Sequence, residues 1–195
     1  MSCFAERCAL QDPDRASATA RSMQLIAAAG IEQVRFAWCD LHGSLRGKTL
    51  MAGAAQAALR DGVGMVSTLL LKDTSDRNTY RVFEPGAVQP AFAGAGNLLL
   101  LADPASYRQL PWLAHTGWMQ GQLWFPDGTP VALDTRQILR NALAELNQTG
   151  FGLQCGLEVE LHIYRVAADG WRAVLDPELA AWPGLPPAVE LIHPG

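Results

Sequence analysis

Glu158 and Glu160 stand two residues apart inside GLEVELHIY, residues 156–164, a stretch that is otherwise mostly apolar. In a strand, side chains at i and i+2 share a face, with Cα atoms about 7 Å apart. Two carboxylates on one face repel each other, and burying them is unfavourable unless cations or basic groups compensate. Two accounts fit. In the first, the acids lie on a solvated face while Leu157, Val159, Leu161 and Ile163 pack on the other. In the second, they bind divalent metal. Mg²⁺ and Mn²⁺ prefer carboxylate oxygens, and this spacing lets two carboxylates address two neighbouring ions. His162 falls on the same face, as a third ligand or as a hydrogen-bonded bystander.

Other segments invite chemical readings that do not hold up. HGSLRGKT, residues 42–49, resembles a phosphate-binding GxxxxGK[ST] loop. However, His42 occupies the position that needs glycine, and Gly43 comes one residue late. The shortened loop cannot offer phosphates the same backbone N–H groups. A hairpin turn with a basic return strand accounts for it better. DGVGMVST, residues 61–68, lacks the GxGxxG pattern and reads as a helix stop followed by a strand. Trp112, Trp118, Trp124, Trp171 and Trp182 read as core or interface anchors. Cys3, Cys8, Cys39 and Cys155 form no CxxC pair and have no zinc-finger spacing, so they fit a reducing compartment rather than a disulfide framework.

Composition narrows the classes further. The 195 residues are 49% hydrophobic and 17% charged, enough for a sizeable core, and the net charge of −4 without a Lys/Arg run argues against nucleic acid. The N-terminus lacks the apolar segment of a secretory signal, and apolar runs end within about ten residues, too short for a bilayer. The expectation is a cytoplasmic protein with no membrane partner.

These residues must be carried by elements. Residues 1–17 read as a mobile leader. SATARSMQLIAAAG predicts a helix capped at Ser17 or Thr19 and ended by Gly30. Val34, Phe36 and Trp38 alternate onto one face of a strand, Asp40-Leu41-His42-Gly43 supplies turn chemistry, and SLRGKTL returns as its hairpin partner. AGAAQAALRDG predicts a helix ended by Gly62. GMVSTLLLKD, GNLLLLAD and GWMQGQLWF predict strands, and Pro104 and Pro126-Asp127-Gly128 punctuate the last two. Asp134 caps a helix over 134–149, where Ile138, Leu139, Ala142, Leu143 and Leu146 fall at helical spacing and Gly150 stops the run. A strand over 153–166 follows, then a Pro- and Gly-rich tail. Strands that do not alternate regularly with long helices predict an α+β fold. Pro104–Trp112 reads as irregular linker, with a boundary near Leu110–His115.

In order, VRFAWCDLHGSLRGKTL, DGVGM, NLLLLADPASYRQLPW, DGTPVALDTRQILRNAL and GLEVELHIY resemble the N-terminal part of the glutamine synthetase family. Their order and spacing carry the resemblance from about residue 31 onward. It is closer to the glutamine-synthetase-like branch, which includes enzymes acting on amines other than ammonia. After a leader over 1–20, the resemblance implies a β-grasp domain over 21–115 and the start of a catalytic domain over 116–195. It implies a ligase that uses ATP to make γ-glutamyl phosphate from glutamate, which ammonia or an amine then attacks. It implies Mg²⁺ or Mn²⁺ held by Glu158 and Glu160, and lends His162 no ligand role. It also implies an oligomer in which Asp61 and Gly62 help close a neighbour's site, although Val63-Gly64-Met65 replaces the paired serines common in the family. Family members are more than twice as long, so the chain is expected to be truncated and inactive alone. The alternative is a non-catalytic module that co-assembles with a full-length relative.

Overall fold

Val34 and Phe36 are fully buried and Trp38 nearly so, as the core face of strand β1 (Gln33–Cys39). The structure, a computed structural model, describes residues 3–10, 12–167, 170 and 186–193. Strand β2 (Leu45–Met51) runs antiparallel to β1, pairing Phe36 with Lys48 and Trp38 with Arg46. Asp40 closes the hairpin. Its buried carboxylate accepts the N–H groups of His42 and Ser44, each at 2.9 Å, and Arg46 Nε at 2.9 Å. The HGSLRGKT segment is therefore turn and return strand, as expected.

Strands β3 (Val63–Val66), β4 (Asn97–Ala102), β5 (Arg108–Gln109) and β6 (Thr116–Trp124) complete the sheet. Its order is β2-β1-β6-β4-β3, with β5 also on β6. The one parallel pair is β1 with β6; the others are antiparallel. Helices α1 (Phe4–Arg7), α2 (Pro13–Ala28), α3 (Ala55–Asp61) and α4 (Thr135–Gln148) accompany it. On one face, Val34, Phe36, Leu98, Leu100, Met119 and Leu123 pack with Ile26 of α2 and Ala58 and Leu59 of α3. On the other, Leu101 and Trp124 meet Phe4, Ala5 and Cys8. This mixed sheet-plus-helix architecture agrees with the α+β expectation.

Several expectations are corrected. The N-terminus is not a mobile leader along its described length: Phe4 is 2% exposed, because it fills the apolar face that β4 and β6 turn away from the main core. Helix α2 begins at Pro13, not near Ser17. Asp12 caps it by accepting Arg15 N–H at 2.6 Å, and proline at the first turn gives up no helical hydrogen bond. GMVSTLLLKD is only partly strand: after Val66 the chain turns into a 3₁₀ helix, Ser67–Leu71, which drives Leu70 and Leu71 into the core. The stretch read as linker carries a 3₁₀ turn, Pro104–Ser106, and β5.

The expected boundary near 110–115 falls inside one unit. The chain divides into Met1–Phe151 and Gly152–Gly195. The physical reason is β6: it pairs with β1 through Val34↔Gly117 and Phe36↔Met119 and with β4 through Leu100↔Leu123, so it joins the sheet's two halves. The second unit contains β7 (Ile163–Val166) and β8 (Val189–His193), an antiparallel pair. The strand expected over 153–166 is thus confined to its last four residues. A strand needs a partner's N–H and C=O groups, and β8 reaches only Ile163 to Val166. Strand β8 itself lies in the tail that sequence periodicity left unassigned. Trp171 and Trp182 lie outside the described residues. No helix among the described residues is long and apolar enough to cross a membrane.

Candidate functional site

Asp61 is the last residue of α3, and Gly62 follows with φ +79°, a backbone conformation that favours glycine. A Cβ at Gly62 would also lie 3.3 Å from Leu99 Cβ, so the chain turns tightly there into β3. Arg60 grips Asp61: Nη2 and Nε both donate to Oδ2, at 2.7 and 2.8 Å. The Arg60 guanidinium holds the Asp61 carboxyl below the usual carboxylate range, and the Phe4 N–H adds to this. The Asp61 side chain is partly exposed. The loop thus presents an ionised carboxylate at the surface of the first unit, anchored by its sequence neighbour and by α1. An anchored carboxylate of this kind can meet a cationic group brought by another surface.

Glu158 and Glu160 lie in a segment, residues 151–162, that forms neither helix nor strand. Both are exposed, as are Leu157 (90%), Val159 and Leu161. The premise that a strand projects the two acids from one face is therefore not met. Among the described residues neither glutamate has a hydrogen bond or ion pair, and no group of three or more His, Cys, Asp or Glu could hold a metal. The His162 ring packs edge-on against Tyr164, with centroids 6.2 Å apart, as a bystander would. Carboxylate oxygens are the right donors for Mg²⁺ or Mn²⁺, but Mg²⁺ demands near-octahedral geometry and two unfixed carboxylates supply only part of it.

Two further charged groups hold elements in place, and sequence reading missed both. Asp40, Arg46, Asp76 and Lys72 tie the hairpin to the 72–78 loop: Arg46 Nη1 lies 2.6 Å from Asp76 and Lys72 Nζ donates to the Asp76 carbonyl at 2.8 Å. Asp103, at the end of β4, receives Arg136 Nη2 of α4 at 2.6 Å, and Arg136 Nη1 also donates to Gln120. The signal was present in part, since Asp103 closes an apolar run, but its partner lies 33 residues on. All four cysteines are free, and burial pushes the Cys8 thiol up to about 11, which leaves it protonated and unreactive near neutrality.

The relatives that this chain matches are glutamine synthetase and glutamine-synthetase-like ligases. It is 28% identical over 170 residues to γ-glutamylanilide synthase from Acinetobacter, a match covering 85% of this chain and 33% of the relative. It is 35% identical over 142 residues to γ-glutamylethanolamide synthetase from Streptomyces coelicolor, covering 72% and 30%. A solved structure of GmaS with ADP superimposes with TM-score 0.52 at 26% identity, over 66% of this chain and 26% of that one. No family model matches the chain. The chain spans about a third of the length of the curated relatives it matches.

Proposed function

We propose that the chain supplies the N-terminal part of an ATP-dependent ligase that joins glutamate to ammonia or another amine through γ-glutamyl phosphate. The observation that carries this reading is the similarity, over most of the chain, to two enzymes named for making γ-glutamyl amides. In this reading the first unit holds the β-grasp domain, over 21–115, and the start of the catalytic domain. Asp61 is the carboxylate it lends to a neighbouring subunit's site, which fits its exposed, anchored position at the end of α3. Glu158 and Glu160 are ligands for Mg²⁺ or Mn²⁺, which when bound would neutralise the nucleotide's phosphates. Their donor chemistry supports this role, and a partner strand would give them the shared face they now lack.

The 195 residues by themselves are proposed to be inactive, since two carboxylates alone bind such ions weakly. Purified chain, assayed with ATP, glutamate and a panel of amines, is expected to form no γ-glutamyl product. Sustained turnover from homogeneous protein would refute that. Co-purification with a full-length relative, followed by Mn²⁺ titration, tests the site assignment. Glu158→Gln or Glu160→Gln should weaken Mn²⁺ binding in the assembly about tenfold or more. Unchanged binding in both variants would remove these residues from the metal site. A second reading, a non-catalytic module that co-assembles with such a relative, is favoured by the open apolar stripe on α4, where Ile138 and Leu139 are half exposed. It predicts the same co-purification with no dependence of activity on Asp61.

A further inference from the structure

We propose that the cleft between the β1–β2 hairpin and the 110–112 segment binds a small planar aromatic carboxylate. The inference is independent of the ligase reading. It begins with a register fact: Ala37 and Gly47, the smallest residues of β1 and β2, sit opposite each other on the face turned away from the main core. In the next row on that face Thr49, Arg35 and Trp118 lie side by side across β2, β1 and β6. Small residues beside large ones leave a depression. Its volume is about 470 Å³, within the range of small-molecule sites. Gly47 cannot be enlarged to fill it, because a Cβ there would lie 2.0 Å from the Phe36 carbonyl oxygen.

The wall carries one free cation and two flat surfaces. Arg35 is the cation whose side chain shares that face; Arg46 and Lys48, opposite Trp38 and Phe36, turn to the other face of the sheet, and no acid among the described residues lines the cleft. Arg46 is already engaged by Asp40 and Asp76. The Arg35 side chain is exposed and has no hydrogen bond, ion pair or ring contact among the described residues. A free guanidinium is a forked donor that matches a carboxylate with two parallel bonds. Trp112, 77% exposed, and Trp118 supply the aromatic faces. An indole left largely in water beside an unpaired guanidinium suits a ring that carries an anion: the ring covers the indole and the carboxylate meets Arg35.

The test uses the full chain and naphthoate as the probe, with naphthalene methanol as its neutral counterpart. Binding is followed by calorimetry and by saturation transfer in NMR spectra of the ligand. Saturable binding of naphthoate is expected, with the neutral alcohol roughly tenfold weaker or more. Arg35→Gln and Trp112→Ala should each weaken naphthoate binding by a similar factor. Both positions are exposed, so an unchanged thermal midpoint shows that the variants remain folded. Absence of saturable binding to the wild-type chain would overturn the proposal, as would equal affinity in both folded variants. If naphthoate fails to bind while Trp112→Ala converts a dimer to a monomer in sedimentation, a second copy of the chain occupies the cleft and the proposal is also overturned.

Discussion

Single carboxylates carry a large share of this protein's local order. Burial pushes the Asp40 carboxyl up, but the Arg46 guanidinium and the N–H groups of Ser44 and His42 more than reverse it, leaving it below the usual range. A depressed folded value adds stability that is present above the unfolded value of about 4 and is lost as pH falls through the folded value. Asp134, buried at the start of α4, has the opposite sign. Burial raises its carboxyl despite the N–H donors of Gln137 and Leu123, so its contribution shrinks as pH climbs from about 4 through the raised value. Asp40→Asn separates the two. Urea titrations should show the variant about 1–3 kcal/mol less stable at pH 7, with a smaller loss than wild type on going to pH 3. An equal acid loss in both proteins would mean that Asp40 is not the group that titrates. At this scale much was legible beforehand. Short polar side chains satisfy nearby backbone N–H groups, which is why the sequence alone puts Asp40 in a turn and Asp134 at a helix start. The Arg46–Asp76 and Arg136–Asp103 pairs were not legible, because they join side chains 30 and 33 residues apart.

Among the elements, α1 departs most from what its sequence suggests. Four residues are too few to be stable alone, and FAER shows no periodicity. It forms because Phe4, Ala5 and Cys8 cover Leu101 and Trp124. Phe4→Ala should therefore cost about 3 kcal/mol in chemical denaturation, the usual loss for emptying a buried aromatic site. Removal of residues 1–10 should cost at least as much; a deletion with an unchanged denaturation midpoint would return this segment to the status of a leader. Strand β3 makes the complementary point. Its apolar run continues to Leu71, but the chain leaves the sheet at Ser67, because the buried Leu70 and Leu71 pack beneath it rather than within it. Continuous apolar residues report burial and leave open whether a strand or a tight helix achieves it.

For the molecule as a whole, the apolar stripe on α4 is the surface that calls for a partner. Helix α4 has no fully buried residue even though its apolar positions fall at helical spacing. Self-association or co-assembly should bury that stripe. Replacing Ile138 and Leu139 together with glutamine should lower the association seen by sedimentation while changing stability by less than about 0.5 kcal/mol, as expected at exposed positions. Association unaffected by that pair would place the contact elsewhere. By itself, the sequence determined the features that depend on near neighbours: the β1–β2 hairpin, β4, β6, the cap and stop of α4, and the residues that resemble the family. Only the tertiary structure decided partners. It placed β6 at the centre of the sheet, seated α1 on Leu101 and Trp124, brought Trp112 beside Arg35, and left Glu158 and Glu160 outside any strand. The reason is that periodicity records which face of an element is apolar, whereas a ladder or a packed face exists only when another segment supplies the matching hydrogen bonds and surface.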